Sequence, residues 1–528
     1  MEESGLILKK WRAKVPVCVV YPDSYFTGMS NLAIHALYET LNNFDEVVCE
    51  RAFFEKKGDI LSVETKRKLN SFEILFFSIS YELNYINIVS ILKDSGISLR
   101  RKERKEDEPI IVGGGITIIA NPEPVSDFFD LFILGDVEAT IVEFMDLYLK
   151  VRGKKRKTII EELSSFPWVY NPSSLDVKYA KDGTIDSFTP HGFRIQVKYH
   201  RGVDLAHSAI VSDSTEFAEM YMIEGTRGCP SRCRFCLMGN VYRFRADKNV
   251  ALLASKQKFK DIGIIGGGLS FLPDLSSMIS QLKAQGKKVH LPSLRIDKVA
   301  KDVIENIKDD VKTLTFGLEA GSYSLRKALG KPLSDEEILK RVEEILEIGN
   351  FNLKLYFMIG LPGEKKEDIE AIFDLVKRVK HTMVKKMAPK KSISKLTVHI
   401  SPFVPKAKTP LQWAEMETVD SLEEKIRWLK KKLGKLGGTF FTHESVKYSF
   451  IQGVFARGDR RVNSIITRLA EGESLRKIIV ESAINPLFYT SRRRKKEEIF
   501  PWDFIDTGQP KEELYKEYEL YFEMLKET

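Results

Sequence analysis

Two long stretches of the 528-residue chain repeat one pattern, a short apolar run followed by an amphipathic segment. The first contains five apolar runs between residues 15 and 136, with helix-like segments near 29–43, 83–95 and 138–150. The second contains six runs between 219 and 403, separated by helical segments near 246–260, 273–285, 297–308, 334–348 and 364–382. Strands that alternate with helices form parallel sheets. We therefore predict an α/β fold with a doubly wound, Rossmann-like parallel sheet at 1–150 and a partial TIM-like (β/α)6 barrel at 217–414. In both architectures, ligands bind at the carboxyl ends of the strands.

The segments outside these two stretches have a different character. Residues 151–216 open with a basic run and contain Pro, Gly and Asp turn signals, as in "NPSSLDVKYAKDGTID", which predicts an irregular or β-rich connector. Residues 415–528 carry helical patterns such as "SLEEKIRWLKKKLGKL" and are predicted to form a helical C-terminal domain. Within the barrel, Ser334 and Glu337 have the spacing of a capping box at the start of the fourth helix.

The composition is that of a soluble globular protein, with 43% hydrophobic and 30% charged residues. No apolar run has the length of a membrane span, and the N-terminal "MEESGLILKKWRAK" lacks the apolar core of a signal peptide. We therefore expect a cytoplasmic protein with reduced cysteines. The net charge of +9 comes largely from the runs "RGKKRK", "KKMAPKK" and "RRRKK". These runs are scattered and no RNA-binding motif accompanies them, which favours a solvated surface over a nucleic-acid site, although a nucleic-acid partner stays open.

Three of the five cysteines lie within "GTRGCPSRCRFCLMG", directly after the first predicted barrel strand. Cys229, Cys233 and Cys236 have the spacing Cys-x3-Cys-x2-Cys. A structural zinc ion takes four ligands, whereas three thiolates on a [4Fe–4S] cluster leave one iron open to a substrate or cofactor donor. The spacing at the mouth of a barrel favours the cluster. A zinc site with a distant fourth ligand and a thioredoxin-like Cys233-x-x-Cys236 pair are the alternatives.

The cysteine motif in this position resembles that of the radical S-adenosylmethionine superfamily, and the resemblance extends over residues 15–415. It implies that the reduced cluster passes an electron to S-adenosylmethionine, cleaves a carbon–sulfur bond and generates a 5′-deoxyadenosyl radical. It also implies an electron donor of the flavodoxin or ferredoxin type.

The same resemblance implies contacts to S-adenosylmethionine at the ends of the later strands. Phe235 would pack near the cluster. The triplet Gly266, Gly267 and Gly268 stands where the family has Gly-Gly-Glu at the methionyl amino group, so only a main-chain contribution is left. The remaining contacts are Ser293 and Arg295 to the methionyl carboxylate, Glu319 to the ribose hydroxyls, and Ile359 and Gly360 to the adenine.

The N-terminal stretch resembles the cobalamin-binding subclass of the superfamily. Its "DSYFTG" matches the frame Asp-x-His-x-x-Gly through Asp23 and Gly28, but Tyr25 replaces the histidine that would be the lower ligand of cobalt. Further residues implied at the cobalamin are Ser78 and the triplet Gly113, Gly114 and Gly115, whose small size would let the nucleotide tail approach the backbone.

The subclass implies a cobalamin-dependent methyltransferase that acts on an unactivated carbon. One alternative is a cobalamin-independent or non-methylating radical enzyme, a cyclase or a rearrangement catalyst, whose N-terminal domain is a relic. A second is an RNA-binding or scaffold protein with a structural cluster. A methylthiotransferase needs a second three-cysteine cluster, which Cys18 and Cys49 are too few to form. No general acid or base is assigned, because lone barrel histidines such as His290 and His399 are more often core residues than catalysts.

Overall fold

The computed structural model describes residues 2–55, 59–202, 204–247, 249–390 and 394–526. Residue 248, within the helix predicted at 246–260, and residue 391, at the end of the "KKMAPKK" run, lie outside these ranges. The predicted N-terminal sheet is confirmed. Its strands lie in the order Val47–Phe53, Val15–Tyr21, Ile74–Ser78, Ile110–Gly114 and Leu131–Ile133, all parallel, and a short antiparallel strand, Val169–Tyr170, is added at the edge.

The strand order of the N-terminal sheet determines where a ligand can bind. The first strand along the chain lies beside both the second and the third, so the connections leave its two sides in opposite directions. This is the switch point of a doubly wound sheet, where the carboxyl ends of two strands open a crevice. Here the crevice lies between the ends of Val15–Tyr21 and Ile74–Ser78.

The two faces of the N-terminal sheet are covered differently. Helices Leu32–Asn42, Val137–Val151 and Arg156–Leu163 pack on one face. On the other face, helices Tyr85–Asp94 and Ile116–Ala120 share a core with the C-terminal region. The predicted C-terminal helices are present as Val419–Leu433, Val446–Arg457, Asn463–Ala470, Leu475–Glu481, Leu487–Thr490 and Lys511–Lys526.

Direct contacts join the C-terminal region to the N-terminal sheet. The ring of Tyr85 stacks on Phe455 at 5.8 Å between centroids. The Asn121 amide donates to the carbonyl of Gly458 at 2.8 Å, and Arg460 pairs with the buried carboxylate of Glu123 at 2.8 Å. The C-terminal region therefore closes the N-terminal sheet rather than standing apart from it.

The partial barrel consists of two four-stranded sheets around one core. The first contains Arg245–Ala246, Tyr221–Arg227, Asp261–Gly266 and Lys288–His290, and the second contains Thr313–Glu319, Asn352–Ile359, Leu396–Pro402 and Thr439–His443. All strands are parallel except Arg245–Ala246. Helices Val250–Ser255, Leu275–Ala284, Lys301–Ile307, Tyr323–Ala328, Asp335–Ile348 and Lys366–Met387 lie between the strands along the chain. The capping box is formed, since the Ser334 hydroxyl accepts from the Glu337 amide and the Glu337 carboxylate from the Ser334 amide.

Two details of the barrel differ from the sequence analysis. Thr439–His443, within the region predicted to be helical, is a further parallel strand beside Leu396–Pro402. It has one neighbouring strand and is not fully buried, so its sequence shows no clear apolar run. The third apolar run of the barrel, residues 288–296, is paired as a strand only at Lys288–His290. Pro292 has no amide proton to donate, and the chain leaves the sheet there toward the barrel mouth.

The connector contains the helix Arg156–Leu163 and an antiparallel hairpin of Asp176–Tyr179 and Ile185–Thr189. The short strand Ile195–Gln196 pairs with Ile505–Asp506 of the C-terminal region. Within the described residues, no helix is both long and apolar enough to span a bilayer.

Candidate active site

The three clustered cysteines lie on a tight loop, residues 228–236, that follows the first barrel strand. Gly228 starts the loop at φ +74°, and a Cβ there would come within 2.9 Å of the carbonyl oxygens of Tyr242 and Arg243. The Asn240 side-chain amide donates to the carbonyl oxygens of Cys233 at 3.0 Å and Cys236 at 2.7 Å. The loop is therefore held by its own glycine turn and by the short helix Leu237–Val241 that follows it.

The thiols of this loop are enclosed and lie beside cationic side chains. Burial raises the pKa of Cys233 to about 11, while the nearby Lys331 and Arg295 act in the opposite direction. Burial also raises the pKa of Cys236, opposed by hydrogen bonds from the amides of Met238 and Gly239. Within the described residues, no three His, Cys, Asp or Glu side chains stand close enough to hold one metal ion.

Arg295 lies at the edge of the cysteine loop, as its predicted role requires. Its Nε and Nη2 donate to both carboxylate oxygens of Asp297, at 3.0 and 2.9 Å. Its Nη1 donates to the Ser231 hydroxyl at 3.1 Å and lies 3.8 Å from the Cys233 sulfur. Asp297 therefore fixes the guanidinium with one edge turned toward the loop.

Glu319 is paired with a lysine that the sequence analysis missed. Lys331 Nζ lies 2.5 Å from Glu319 Oε1 and also donates to the carbonyl of Gly317 at 3.1 Å. Glu319 has φ +69°, a conformation that non-glycine residues rarely adopt. The strain and the ion pair together hold this carboxylate at the end of its strand, and Lys331 acts electrostatically on Cys233 as well.

The three glycines that follow the second barrel strand have different surroundings. A Cβ on Gly266 would lie 2.2 Å from the Thr226 hydroxyl, and one on Gly268 would lie 2.5 Å from the Phe244 ring. A Cβ on Gly267 would meet no protein atom closer than 3.4 Å. Packing therefore explains the outer two glycines, whereas Gly267 leaves its space open toward the neighbouring cavity that it lines.

The remaining predicted contacts to S-adenosylmethionine are less accessible. Ile359 is fully buried, and the amide of Gly360 already donates to Glu364 at 2.9 Å. Phe235 packs against the core that joins the C-terminal region to the N-terminal sheet. These residues can border an adenine site, but the amide of Gly360 is already used in a hydrogen bond to Glu364.

A cavity of about 690 Å³, the interdomain cavity, joins the N-terminal sheet to the barrel mouth. From the sheet it is lined by Ser78 and the triplet Gly113, Gly114 and Gly115, and from the barrel by Gly266, Gly267 and Ser293. Seven residues predicted at two different cofactors thus line one space. The cysteines, Arg295 and Glu319 are not among its lining residues, and neither are His290, His399 and His443.

The interdomain cavity continues as an apolar crevice beside the sheet. Ala33, Ala36 and Leu37 line it from helix Leu32–Asn42, and Thr140 and Ile141 from helix Val137–Val151. Gly114 lies beside the crevice without a positive φ, and a Cβ there would make only ordinary contact, 3.5 Å from the Ile133 carbonyl. Neither the backbone nor the packing of the protein therefore requires a glycine at position 114.

Thr27 of the "DSYFTG" segment lines the interdomain cavity, but Asp23, Tyr25 and Gly28, the residues predicted at the cobalamin, do not. The Tyr25 hydroxyl donates to Glu3 at 2.6 Å, and its ring packs edge-on against Phe53. Asp23 accepts from the Ser24 amide, and a Cβ on Gly28 would clash with Phe53. Tyr21, Asn31 and Ser80 are at the cavity instead, with the Tyr21 and Ser80 hydroxyls 2.8 Å apart.

A network of ion pairs lines part of the interdomain cavity, and it was not predicted from the sequence. Arg227, at the end of the first barrel strand, pairs with Asp136 at 3.0 Å, Glu138 at 2.8 Å and Glu224 at 2.5 Å. Arg245 also pairs with Asp136, at 2.7 Å. Burial raises the pKa of Glu138, but hydrogen bonds and charge from Arg227 leave that pKa below its usual value. Arg227 therefore joins the two domains through these ion pairs.

Two family models match this chain. The family model "Radical SAM superfamily" matches residues 223–376, and the model "Radical SAM proteins, N-terminal" matches residues 33–172. This chain belongs to the radical S-adenosylmethionine superfamily. Membership implies a [4Fe–4S] cluster and S-adenosylmethionine as cofactors. Cys229, Cys233 and Cys236 remain the predicted ligands of the cluster.

Individual relatives of this radical S-adenosylmethionine protein include the uncharacterized protein MJ0966 of Methanocaldococcus jannaschii, 27% identical over 85% of this chain and 90% of that protein. The ribosomal protein uS12 methylthiotransferase RimO of Caldanaerobacter subterraneus is 24% identical over 28% of this chain and 38% of the relative. Among solved structures, the cobalamin-dependent S-adenosylmethionine radical enzyme OxsB with aqua-cobalamin bound is matched over 97% of this chain and 80% of that chain, with 13% identity and a TM-score of 0.48.

Proposed function

We propose that this radical S-adenosylmethionine enzyme is a cobalamin-dependent methyltransferase that acts on an unactivated carbon. One observation carries the proposal: a single cavity connects the carboxyl ends of the N-terminal strands with the barrel mouth. A cofactor on the sheet and S-adenosylmethionine in the barrel would therefore face the same space.

The residues at the sheet fit a corrin with a nucleotide tail. The crevice between helices Leu32–Asn42 and Val137–Val151 is apolar and offers room for a flat heterocycle. Gly114 borders this crevice, and because it has no Cβ, its backbone is open to the crevice. Among the described residues, neither a histidine imidazole nor the Tyr25 hydroxyl lines the cavity. The hydroxyls of Tyr21 and Ser80 are the polar groups at the strand ends.

The chain's own residues would bind and orient the cofactors. The three cysteines would hold the cluster, Arg295 would be fixed by Asp297 to meet the methionyl carboxylate, and Glu319 would be held by Lys331 near the ribose. Gly267 and Ser293 would place the methionyl end at the cavity. Cobalamin, when bound, supplies a methyl group for transfer to a carbon radical.

Reductive cleavage of S-adenosylmethionine tests the enzyme activity itself. Full-length protein, reconstituted with iron and sulfide and reduced with dithionite, should form 5′-deoxyadenosine from S-adenosylmethionine. The triple variant with Cys229, Cys233 and Cys236 changed to Ala is the matched control and should form none. Absence of 5′-deoxyadenosine from the reconstituted wild type would overturn the assignment of radical chemistry, and an RNA-binding or scaffold role would then be the better account.

Transfer of the methyl group tests the finer assignment. With added hydroxocobalamin and methyl-labelled S-adenosylmethionine, the label should appear on the protein-bound corrin. If 5′-deoxyadenosine forms but no corrin is retained, the enzyme is a cobalamin-independent cyclase or rearrangement catalyst. The orientation of Tyr25 away from the cavity favours that second candidate. In either case we expect a flavodoxin- or ferredoxin-type electron donor.

A further inference from the structure

Most of the basic run "RRRKK" at 492–496 lies at the surface, as its sequence suggests, but Arg494 does not. Arg494 is 5% exposed, and its Nη2 donates to the carbonyl of Arg457 at 2.9 Å. Arg457 itself is fully buried at the end of helix Val446–Arg457, and its Nη1 donates to the carbonyl of Ala414 at 2.5 Å. Two guanidinium groups are thus enclosed side by side in the C-terminal region.

These two arginines have donors that the chain leaves unpaired. Within the described residues, Arg457 Nε and Nη2 and Arg494 Nε have no acceptor, although all three atoms are shielded from solvent. The indole nitrogen of the fully buried Trp413 also lacks an acceptor. Trp413 is a direct neighbour, because its carbonyl accepts from the Arg494 amide at 2.9 Å. Buried donors without acceptors are costly, and such clusters call for a ligand or an ordered water.

The positive charges of Arg457 and Arg494 are also not balanced by neighbouring carboxylates. The carboxylates that act on Arg457, Glu498 and Glu415, are already paired with other arginines. Glu498 accepts both hydrogen bonds of Arg492 at 2.6 Å, and Glu415 accepts two from Arg493 at 3.1 and 3.2 Å. The negative end of the helix Val446–Arg457 compensates for only about half a charge.

Arginine does not deprotonate in proteins, so the two buried charges need a counter-ion. Burial lowers the pKa of Arg494 to about 10 and lowers the pKa of Arg457 as well, so the charged form of both side chains is disfavoured where they lie. A bulky anion would not reach donors that are closed to solvent. A compact ion, held by guanidinium and indole N–H groups, satisfies both the charge and the hydrogen bonds.

We propose that Arg457 and Arg494 bind a small monovalent anion of the halide class, buried at the end of helix Val446–Arg457. The site lies where the C-terminal region meets the N-terminal sheet, because Asn121 donates to the carbonyls of Ala456 and Gly458 beside it. The anion stabilises this contact. Its role is separate from radical chemistry, and it stands whether or not cobalamin binds.

Thermal unfolding of the full-length protein tests the site. At constant ionic strength, replacing gluconate by chloride or bromide should raise the Tm by several degrees, because the ion binds only the folded chain. Arg457→Met should abolish this halide response. Arg493→Met, from the same run but with a side chain 53% exposed, should retain it. If Arg457→Met fails to fold, Arg494→Gln takes its place in the comparison.

Bromide anomalous scattering supplies an independent readout. A crystal grown in sodium bromide should show a peak within hydrogen-bonding distance of Arg457 Nη2 and Arg494 Nε. A wild-type Tm that is equal in gluconate and halide would overturn the proposal. A water molecule without anomalous signal at that position would do the same.

Discussion

Cys233 is the most buried of the three clustered cysteines, and it lies closest to the cationic side chains of Arg295 and Lys331. Because Cys233 is one of the three proposed ligands of the cluster, Cys233→Ala should remove most of the bound iron and all formation of 5′-deoxyadenosine. Iron content and product would be measured after reconstitution. Cys49→Ala, a buried cysteine of the N-terminal sheet, is the control and should keep both. A Cys233→Ala protein that still cleaves S-adenosylmethionine would contradict the assignment.

Glu319 offers a second prediction at the residue scale. Its carboxylate is fixed by Lys331 and by the backbone at φ +69°. Glu319→Gln keeps the volume but removes the charge, so S-adenosylmethionine should bind roughly tenfold more weakly, about 1.4 kcal/mol. Calorimetric titration would measure the Kd. The exposed Glu336→Gln, at the start of helix Asp335–Ile348, should bind normally, and an unchanged Kd for Glu319→Gln would exclude the contact.

Helix Leu32–Asn42 is anchored to the connector through a buried histidine. His35 Nδ1 accepts from the Ile210 amide at 3.4 Å, and its Nε2 contacts the Met29 carbonyl at 3.0 Å, so the ring is held neutral. Burial lowers the pKa of His35 from 6.5 to about 4. A base with a depressed folded-state pKa stabilises the fold above its unfolded pKa, and this stability is lost as the pH falls from 6.5 toward 4.

The lowered pKa of His35 should make the unfolding free energy of the protein fall at acidic pH. Between pH 7 and pH 4.5 the wild type should lose about 2 kcal/mol of unfolding free energy through His35 alone. His35→Gln should be less stable at pH 7 but should lose correspondingly less on acidification, as measured by urea unfolding. The exposed His191→Gln should behave like the wild type. Equal acid sensitivity of His35→Gln and the wild type would show that this anchor is not the titrating group.

The elements were predictable from sequence where one physical signal dominates. Val15–Tyr21 and Val47–Phe53 are buried along their whole length, so they are nearly continuous apolar runs. The capping box of Ser334 is a local hydrogen-bond pattern and is equally readable. Thr439–His443 was missed because an edge strand with exposed positions has no such run.

The site was predictable only where its residues follow one another in the chain. The cysteine loop and the glycine triplets are local motifs. The contact of Arg227 with Asp136 joins residues of different domains, and nothing in either local sequence indicates it. Lys331 is similar, because only the fold brings it to Glu319. The orientation of Tyr25 depends on Glu3 and Phe53, which are also distant in sequence.

At the scale of the whole molecule, Arg227 connects the N-terminal sheet to the barrel directly before the cysteine loop. Arg227→Met would leave the partly buried carboxylates of Glu138 and Glu224 without their counter-charge, which should cost about 2–3 kcal/mol, less than for a fully buried pair. The urea midpoint should fall, and 5′-deoxyadenosine formation should fall with it because the loop begins at the next residue. The exposed Arg243→Met should change neither quantity. An unchanged midpoint for Arg227→Met would show that the network does not join the domains.

The central claim concerns the interdomain cavity, and Gly114 is the position at which it can be tested with least disturbance of the protein. Gly114→Val should place a side chain in the space beside the crevice. Gly437→Val is the control, because it adds the same atoms on an exposed loop, where no atom lies within 4 Å of the Cβ position.

The deciding measurement is the visible spectrum of full-length protein after incubation with hydroxocobalamin and desalting. The wild type and Gly437→Val should each retain an equimolar amount of corrin, and Gly114→Val should retain almost none. A colourless wild-type protein, or a Gly114→Val protein that retains as much corrin as the wild type, would contradict the placement of cobalamin in the interdomain cavity.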